Sequence, residues 1–198
     1  GGAIPHNGVN IQSWSFTGAP NQQFSLVRVN DIPEGDYVIY TALNEKMALD
    51  IDGGKNSVNI WGKNVHLWEN GEANVFTITK DKNKGTYSIK SKRTGLMLDV
   101  KDGSKENGAN IQQWEDNGLD PERWVFEDAG NGYYYIRCLG GQYMDVFNWQ
   151  TNNGANINSW QFTGTPNQKF KLVESVSTTG AIASLSSKGT YTNCYYLS

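Results

Sequence analysis

An internal repeat constrains the fold of this chain more than any other feature. Four similar motifs each end in a tryptophan, and these tryptophans are 54, 46 and 46 residues apart. Repeats of this length arise when a supersecondary unit is duplicated and each copy buries its apolar face against the next. The motifs are NGVNIQSW at 7–14, GKNVHLW at 62–68, NGANIQQW at 107–114 and NGANINSW at 153–160.

Further landmarks around the motifs divide the chain into units. An aromatic residue follows each motif, and three motifs are preceded by a short apolar run that contains an aspartate: MALDI at 47–51, LMLDV at 96–100 and YMDV at 143–146. These landmarks predict three complete units at 31–81, 82–129 and 130–175. Each unit holds about four short strands separated by Gly, Asn and Asp turns.

The two ends of the chain lie outside the three complete units. Positions 7–27 and 153–173 are identical at 15 of 21 residues, so 1–30 is predicted to be the second half of a preceding unit. We expect a longer protein to carry such triplets in tandem. A half-unit cannot bury its apolar face alone, so it packs against 31–175 or forms a domain-swapped dimer. The Ser/Thr/Gly/Ala-rich segment 176–198 is predicted to be a linker and tail.

Composition and motifs argue against several functions. The formal charge is −3 without a basic cluster, so we predict no nucleic-acid binding. No apolar run reaches the roughly 20 residues of a membrane helix, so we predict no membrane insertion. Catalytic and metal-binding motifs are missing from the sequence, which predicts no enzyme activity, no metal and no cofactor. Cys138 and Cys194 form one disulfide or remain as two buried thiols.

Strand alternation predicts which side chains face away from the core. If Ile111 faces inward, Gln112 and Trp114 lie together on the other face, as does Asp99 between its apolar neighbours. The corresponding residues are Asp50, His66 and Trp68 in the first unit and Asp145, Asn158 and Trp160 in the third. An exposed indole forgoes several kcal/mol of burial, so this display requires an explanation. By contrast, the aromatics at 76, 124 and 170 are predicted to plug the core.

A sugar is one ligand that such a display would suit. The C–H face of a pyranose lies flat on an indole, while its hydroxyls need donors and acceptors. A carboxylate accepts strong hydrogen bonds from hydroxyls, and a carboxamide both donates and accepts. Each aspartate could instead close a turn, and each tryptophan could be half-buried under a neighbouring loop.

The order of the motifs resembles that of the ricin-type β-trefoil lectins. The resemblance rests on LDV, NGANIQQW and NQxF, covers 31–175 fully and covers 1–30 in part. It implies an all-β β-trefoil of three pseudo-threefold repeats. It also implies non-catalytic binding of a galactose-type, plant or mucosal glycan, in a larger secreted protein. The alternative is a degenerate β-trefoil that acts as a protein-interaction or spacer domain.

The family completes its pocket with an Asn-Gln pair before the core aromatic. In this chain the pair is Asn167 and Gln168, so the third unit matches best. The second unit offers Glu122 there, and the first unit offers Asn74. The pair could also hold its hairpin together. The segment between the aspartate and the tryptophan is longer in the first unit and contains Trp61, which either widens the platform of that unit or blocks it.

Overall fold

The structure is a computed structural model. It describes residues 31–175 except 57, 70–74, 82 and 83, together with residues 15, 17–19 and 22. The predictions for 176–198 and for most of 1–30 therefore lie outside the described residues, as do those for Asn74 and Cys194.

Twelve β-strands make up the regular structure of the described residues, four in each unit. Between them lie short 3₁₀ turns, and no α-helix occurs in the part of the chain that is described. None of the described helical segments is long and apolar enough to cross a membrane. The strands are β1 Gly35–Thr41, β2 Met47–Ile51, β3 Val65–Glu69, β4 Phe76–Asp81, β5 Thr86–Ser91, β6 Met97–Val100, β7 Ala109–Trp114, β8 Trp124–Gly130, β9 Tyr133–Cys138, β10 Tyr143–Val146, β11 Ile157–Trp160 and β12 Lys169–Glu174.

The strands form a closed barrel with three hairpins. Strands β1, β4, β5, β8, β9 and β12 pair antiparallel in a ring that returns to β1. Each unit adds one hairpin, β2–β3, β6–β7 or β10–β11. Closure leaves the barrel without a free edge. This architecture is a β-trefoil, as the sequence predicts.

The aromatic residue that follows each motif fills the core. Phe76, Trp124 and Phe170 are fully buried. The Trp124 indole also donates a hydrogen bond to the Leu98 carbonyl, at 3.1 Å from Nε1 to O. Ile111 is fully buried too, but Gln112 beside it is only 5% exposed, so both faces of β7 are covered at this point. Truncating one of these aromatic side chains to alanine typically costs about 3–5 kcal/mol.

Backbone hydrogen bonds from one glycine per motif join neighbouring units. Gly62 N donates to Gln113 O at 2.8 Å, and Gly108 N donates to Ser159 O at 2.9 Å. Gly154 N donates to Leu67 O at 2.8 Å and completes the threefold pattern. All three glycines have φ near +80°, at 78°, 87° and 85°, where a residue with a Cβ would be strained. The next unit can therefore pack directly against the backbone of the preceding one.

Candidate functional site

The predicted acid of each unit lies opposite its predicted polar partner across the hairpin. The cross-strand pairs are Asp50 with His66, Asp99 with Gln112, and Asp145 with Asn158. Gln112 Nε2 donates to Asp99 Oδ1 at 3.0 Å. In the first unit, His66 Nε2 lies 3.5 Å from Asp50 Oδ2. Strand register thus brings together three equivalent polar pairs, one in each unit.

The three tryptophans beside these pairs differ in exposure. Trp68 is 43% exposed, whereas Trp114 and Trp160 are half-buried. For these two residues the alternative of half-burial therefore applies. The reason is the preceding unit. A Cβ on Gly62 would lie 3.7 Å from Trp114 Cζ3, and one on Gly108 would lie 3.6 Å from Trp160 Cζ3. Each of these two indoles rests on a neighbouring glycine.

The third unit has the most complete set of polar groups. Asn167 Nδ2 donates to Asp145 Oδ2 at 2.7 Å, and Asn158 lies opposite Asp145 on the neighbouring strand. Burial raises the pKa of Asp145 to about 6, although hydrogen bonds from Gln168 and Asn167 act in the opposite direction. Trp160 is two residues beyond Asn158, on the same face of β11. A carboxylate, two carboxamides and an indole therefore meet at one hairpin.

Gln168 holds the loop before β12 rather than contributing its amide to the surface. It is fully buried, and its Oε1 accepts from Thr163 N at 2.8 Å. Its Nε2 donates to Gln161 O at 2.8 Å. Gln22 makes the same contacts in the N-terminal half-unit, with Thr17 N at 2.7 Å and with the Ser15 carbonyl at 2.8 Å. Gln168 thus has the structural role expected of the pair, and it also hydrogen-bonds Asp145.

Glu122 occupies the position equivalent to Gln168 in the second unit. It is fully buried, and its Oε2 accepts from Asn117 N at 3.1 Å. Its Oε1 has no hydrogen-bond partner among the described residues. Burial raises the pKa of Glu122 above its ordinary value. The structure therefore does not bring Glu122 to the solvent side of the Asp99 pair, where a hydroxyl could reach it.

Trp149 is an exposed residue on the turn that follows β10 in the third unit. It ends the 3₁₀ turn Phe147–Trp149 with φ +58° and is 51% exposed. The equivalent positions in the other two units are glycines, Gly54 at φ +49° and Gly103 at φ +59°. A bulky residue at positive φ is strained, and such strain often marks a functional position. Alignment of the three repeats already shows this exchange of glycine for tryptophan.

Trp61 does not belong to the platform of its own unit. Its ring centroid lies 5.3 Å from that of Trp114 in the second unit, with the two planes tilted by 43°. The expectation that Trp61 widens or blocks the first-unit platform is therefore corrected, because its indole lies against the next unit. In the first unit, Trp68 has the His66 ring as a neighbour, at 5.5 Å between centroids.

The comparisons with known proteins agree with this geometry. Residues 72–160 match the family described as "Ricin-type beta-trefoil lectin domain-like". The designed threefold-symmetric protein ThreeFoil is 30% identical, with a TM-score of 0.65, and the match covers 71% of this chain and 99% of ThreeFoil. The chain belongs to the ricin-type β-trefoil lectin-like family. Such domains are typically non-catalytic, and membership of the family supports carbohydrate binding in general.

Two natural proteins also resemble this lectin-like domain. The exo-β-1,3-galactanase 1,3Gal43A of Clostridium thermocellum is 30% identical, with a TM-score of 0.64. That match covers 75% of this chain and 31% of the galactanase. The clotting factor G alpha subunit of Tachypleus tridentatus is 39% identical over 52 residues, which are 26% of this chain and 8% of the subunit. The lectin-like domain therefore corresponds to a minor part of both proteins.

The described residues of the lectin-like domain offer little for metal or nucleophilic chemistry. They contain no group of three or more His, Cys, Asp and Glu side chains placed to hold a metal ion. Cys138 is buried, and burial raises the pKa of its thiol to about 11. Its Sγ donates to the Asp120 carbonyl at 3.5 Å. A thiol with this pKa stays protonated near neutral pH and is a poor nucleophile.

Proposed function

We propose that the chain is a glycan-binding module whose main site is the hairpin of the third unit. The observation that carries the proposal is the polar pair of Asp145 and Asn167, joined at 2.7 Å, opposite Asn158 and on the same hairpin as Trp160. In this proposal Asp145 accepts hydrogen bonds from sugar hydroxyls. The two carboxamides orient the carboxylate and form hydrogen bonds with neighbouring hydroxyls. The exposed part of Trp160 receives the C–H face of the ring.

Burial and hydrogen bonding make this site suitable for a neutral polar ligand. Asp145 is only 5% exposed, so a hydroxyl that reaches it meets an acceptor already held in place. The elevated pKa of Asp145 means that its charge is poorly solvated, and a donated hydroxyl hydrogen would relieve that cost. Trp149 adds an exposed indole on the turn that follows β10.

The second and first units are proposed as weaker sites. The second uses Asp99, Gln112 and Trp114, and the first uses Asp50, His66 and Trp68. A shallow pocket for a single sugar is expected to bind in the millimolar range, about −4 kcal/mol. Useful affinity then comes from several pockets engaging one branched or repeating glycan.

The ligand class is proposed to be galactose-containing, within plant or mucosal glycans. Support comes from the family and from the likeness of this chain to part of 1,3Gal43A, an exo-β-1,3-galactanase. The clotting factor relative and the lectin family favour an extracellular location within a longer secreted protein. In that setting the module would hold the protein on a glycan surface.

A glycan array with matched variants tests the proposal. Wild-type protein is expected to bind galactose-terminated glycans, and Asp145→Asn, which keeps the shape of the side chain, is expected to lose most of that binding. Trp160→Ala provides a second test through the indole, with circular dichroism to confirm folding. Glu174→Gln, at the end of β12, is the control that should bind like wild type.

The competing function is a spacer or protein-interaction domain. The fully buried Glu122, which the structure does not bring to the surface, favours it for the second unit. Absence of binding by folded wild-type protein across the whole array would overturn the proposed function in favour of this alternative. Binding that Asp145→Asn leaves unchanged would overturn the assignment of the main site.

A further inference from the structure

We propose that Trp61 and Trp114 form a two-indole platform that binds two consecutive sugar rings of an oligosaccharide. This inference rests on the proposed function and names a ligand class for the second unit. Trp61 is 48% exposed, Trp114 is half-buried, and their centroids lie 5.3 Å apart. The pair spans the junction between the first and second units.

Trp61 stands where the other two units have an asparagine that caps a strand end. Asn107 Oδ1 accepts from Gln161 N at 2.8 Å, and Asn153 Oδ1 accepts from Glu69 N at 2.7 Å. Trp61 has no such acceptor, because an indole only donates. The first unit has therefore exchanged a structural cap for an exposed aromatic ring, which calls for a role in binding.

The loop that carries Trp61 is held in one conformation. Gln113 is fully buried, and its Nε2 donates to Val58 O at 3.0 Å and to Ile60 O at 2.7 Å. The hydroxyl of Thr94 donates to Gln113 Oε1 at 2.8 Å and fixes the amide. The Trp61 ring is thus preorganised before any ligand arrives, which lowers the entropic cost of binding.

The tilt between the two indoles indicates a ligand with more than one ring. Their planes differ by 43°, so one flat pyranose cannot lie against both faces. Two linked pyranoses, turned relative to each other about the glycosidic bond, can each follow one indole. Gly62 lies beside the Trp114 ring, where a Cβ would be in ordinary contact at 3.7 Å, and its φ of +78° favours glycine.

The polar groups beneath the platform favour a glycan over an apolar protein segment. Gln112 and Asp99 form a hydrogen-bonded pair beside Trp114, at 3.0 Å. Pro121 stands where the third unit has Asn167, which hydrogen-bonds Asp145, so the second unit offers fewer groups that can hydrogen-bond individual hydroxyls. Recognition in the second unit should therefore depend more on chain length than on the configuration of one sugar.

Trp61→Asn is the sharpest test, because asparagine is the residue found at the equivalent position of the other two units. Calorimetric titration of wild-type protein with galactose, β-1,3-galactobiose and β-1,3-galactotriose should show affinity that rises with chain length. Trp61→Asn should lower the affinity for the trisaccharide roughly tenfold, the expected loss of one stacking contact. Its affinity for galactose should stay within about twofold of wild type.

Two further variants separate the indole from its loop. Trp61→Phe should retain part of the trisaccharide affinity, and Ile60→Ala, on the same loop, should retain all of it. No dependence on chain length, or no effect of Trp61→Asn, overturns this inference and leaves the proposed function standing. Failure of the wild type to bind any of the three sugars or any glycan on the array overturns the proposed function itself.

Discussion

Replacing Glu122 by glutamine is expected to stabilise the protein by about 1 kcal/mol at pH 7. Glu122 occupies the position of Gln168, whose amide both accepts from the loop backbone and donates to Gln161 O. Glutamine at 122 could still accept from Asn117 N, and it could donate to the Glu115 carbonyl, which is equivalent in register to that of Gln161. The carboxylate lacks this donor.

The magnitude follows from opposing contributions around one buried carboxylate. Glu122 Oε1 has no partner among the described residues, and a buried polar atom in that state costs about 1–3 kcal/mol. The substitution also removes the attraction of Arg123 Nη1, which lies 3.6 Å from Glu122 Oε2. Arg123 keeps its ion pair with Asp116 at 2.9 Å, so its charge stays compensated. The expected net gain is therefore positive but modest.

Thermal denaturation at two pH values tests the reasoning. A gain of about 1 kcal/mol should raise the Tm by about 2–4 °C for a protein of this size. Because burial raises the pKa of Glu122 in the folded state, its contribution to wild-type stability falls as pH rises above the ordinary carboxyl value. At pH 4 a protonated Glu122 resembles glutamine, so the advantage of the variant should grow from pH 4 to pH 7.

The mirror-image control is Gln168→Glu, which should destabilise the protein by about 1–3 kcal/mol at pH 7, because it places a carboxylate at a fully buried position and removes the donor to the Gln161 carbonyl. A Glu122→Gln protein less stable than wild type at pH 7 would refute the role assigned to the buried carboxylate. A stability difference that does not change with pH would refute it equally.

Three further outcomes are expected. Glycan binding by the third unit should weaken about tenfold from pH 7 to pH 5, because the pKa of Asp145 lies at about 6 and the ionised form is the better hydrogen-bond acceptor. Calorimetry on Asp145→Asn should show weak binding without this pH dependence. Trp149→Gly should raise the free energy of unfolding in urea by about 1 kcal/mol, because glycine adopts a positive φ without strain, and it should weaken glycan binding. A loss of stability would contradict the proposed strain. Gly108→Ala should lower the Tm, because Gly108 also has a positive φ, and should alter the fluorescence of the adjacent Trp160. An unchanged Tm would contradict the strain expected at this position.

Alternation and repeat spacing were sufficient to predict the local geometry of each hairpin. Alternation in Leu98-Asp99-Val100 puts the aspartate on the face opposite its two apolar neighbours, and Gln112 pairs with it across the hairpin. These relations depend only on strand periodicity and register. The same periodicity placed Trp124 and its equivalents in the core.

Contacts between units could not be predicted in this way. The exposure of Trp114 and Trp160 depends on glycines of the preceding unit, which approach through the threefold packing of the hairpins. The position of Trp61 against Trp114 likewise depends on how Gln113 anchors the insertion. Alignment of the repeats does reveal which positions are unusual, since Trp61 replaces an asparagine and Trp149 replaces a glycine. It does not reveal which unit receives the side chain.

Under the proposed function, the differences between the units amount to specialisation rather than decay. The barrel and the bonds from Gly62 N, Gly108 N and their equivalent are made by backbone groups, so they persist whatever side chains the turns carry. The second unit has Pro121 in place of the asparagine partner of its acid, and the first unit places the Trp61 indole against it. The third unit kept its asparagine and gained an indole at 149. One unit would then read hydroxyl configuration and another would read chain length. Unlike sites on one rigid scaffold select a glycan that offers both features together, since only that glycan engages both sites at once.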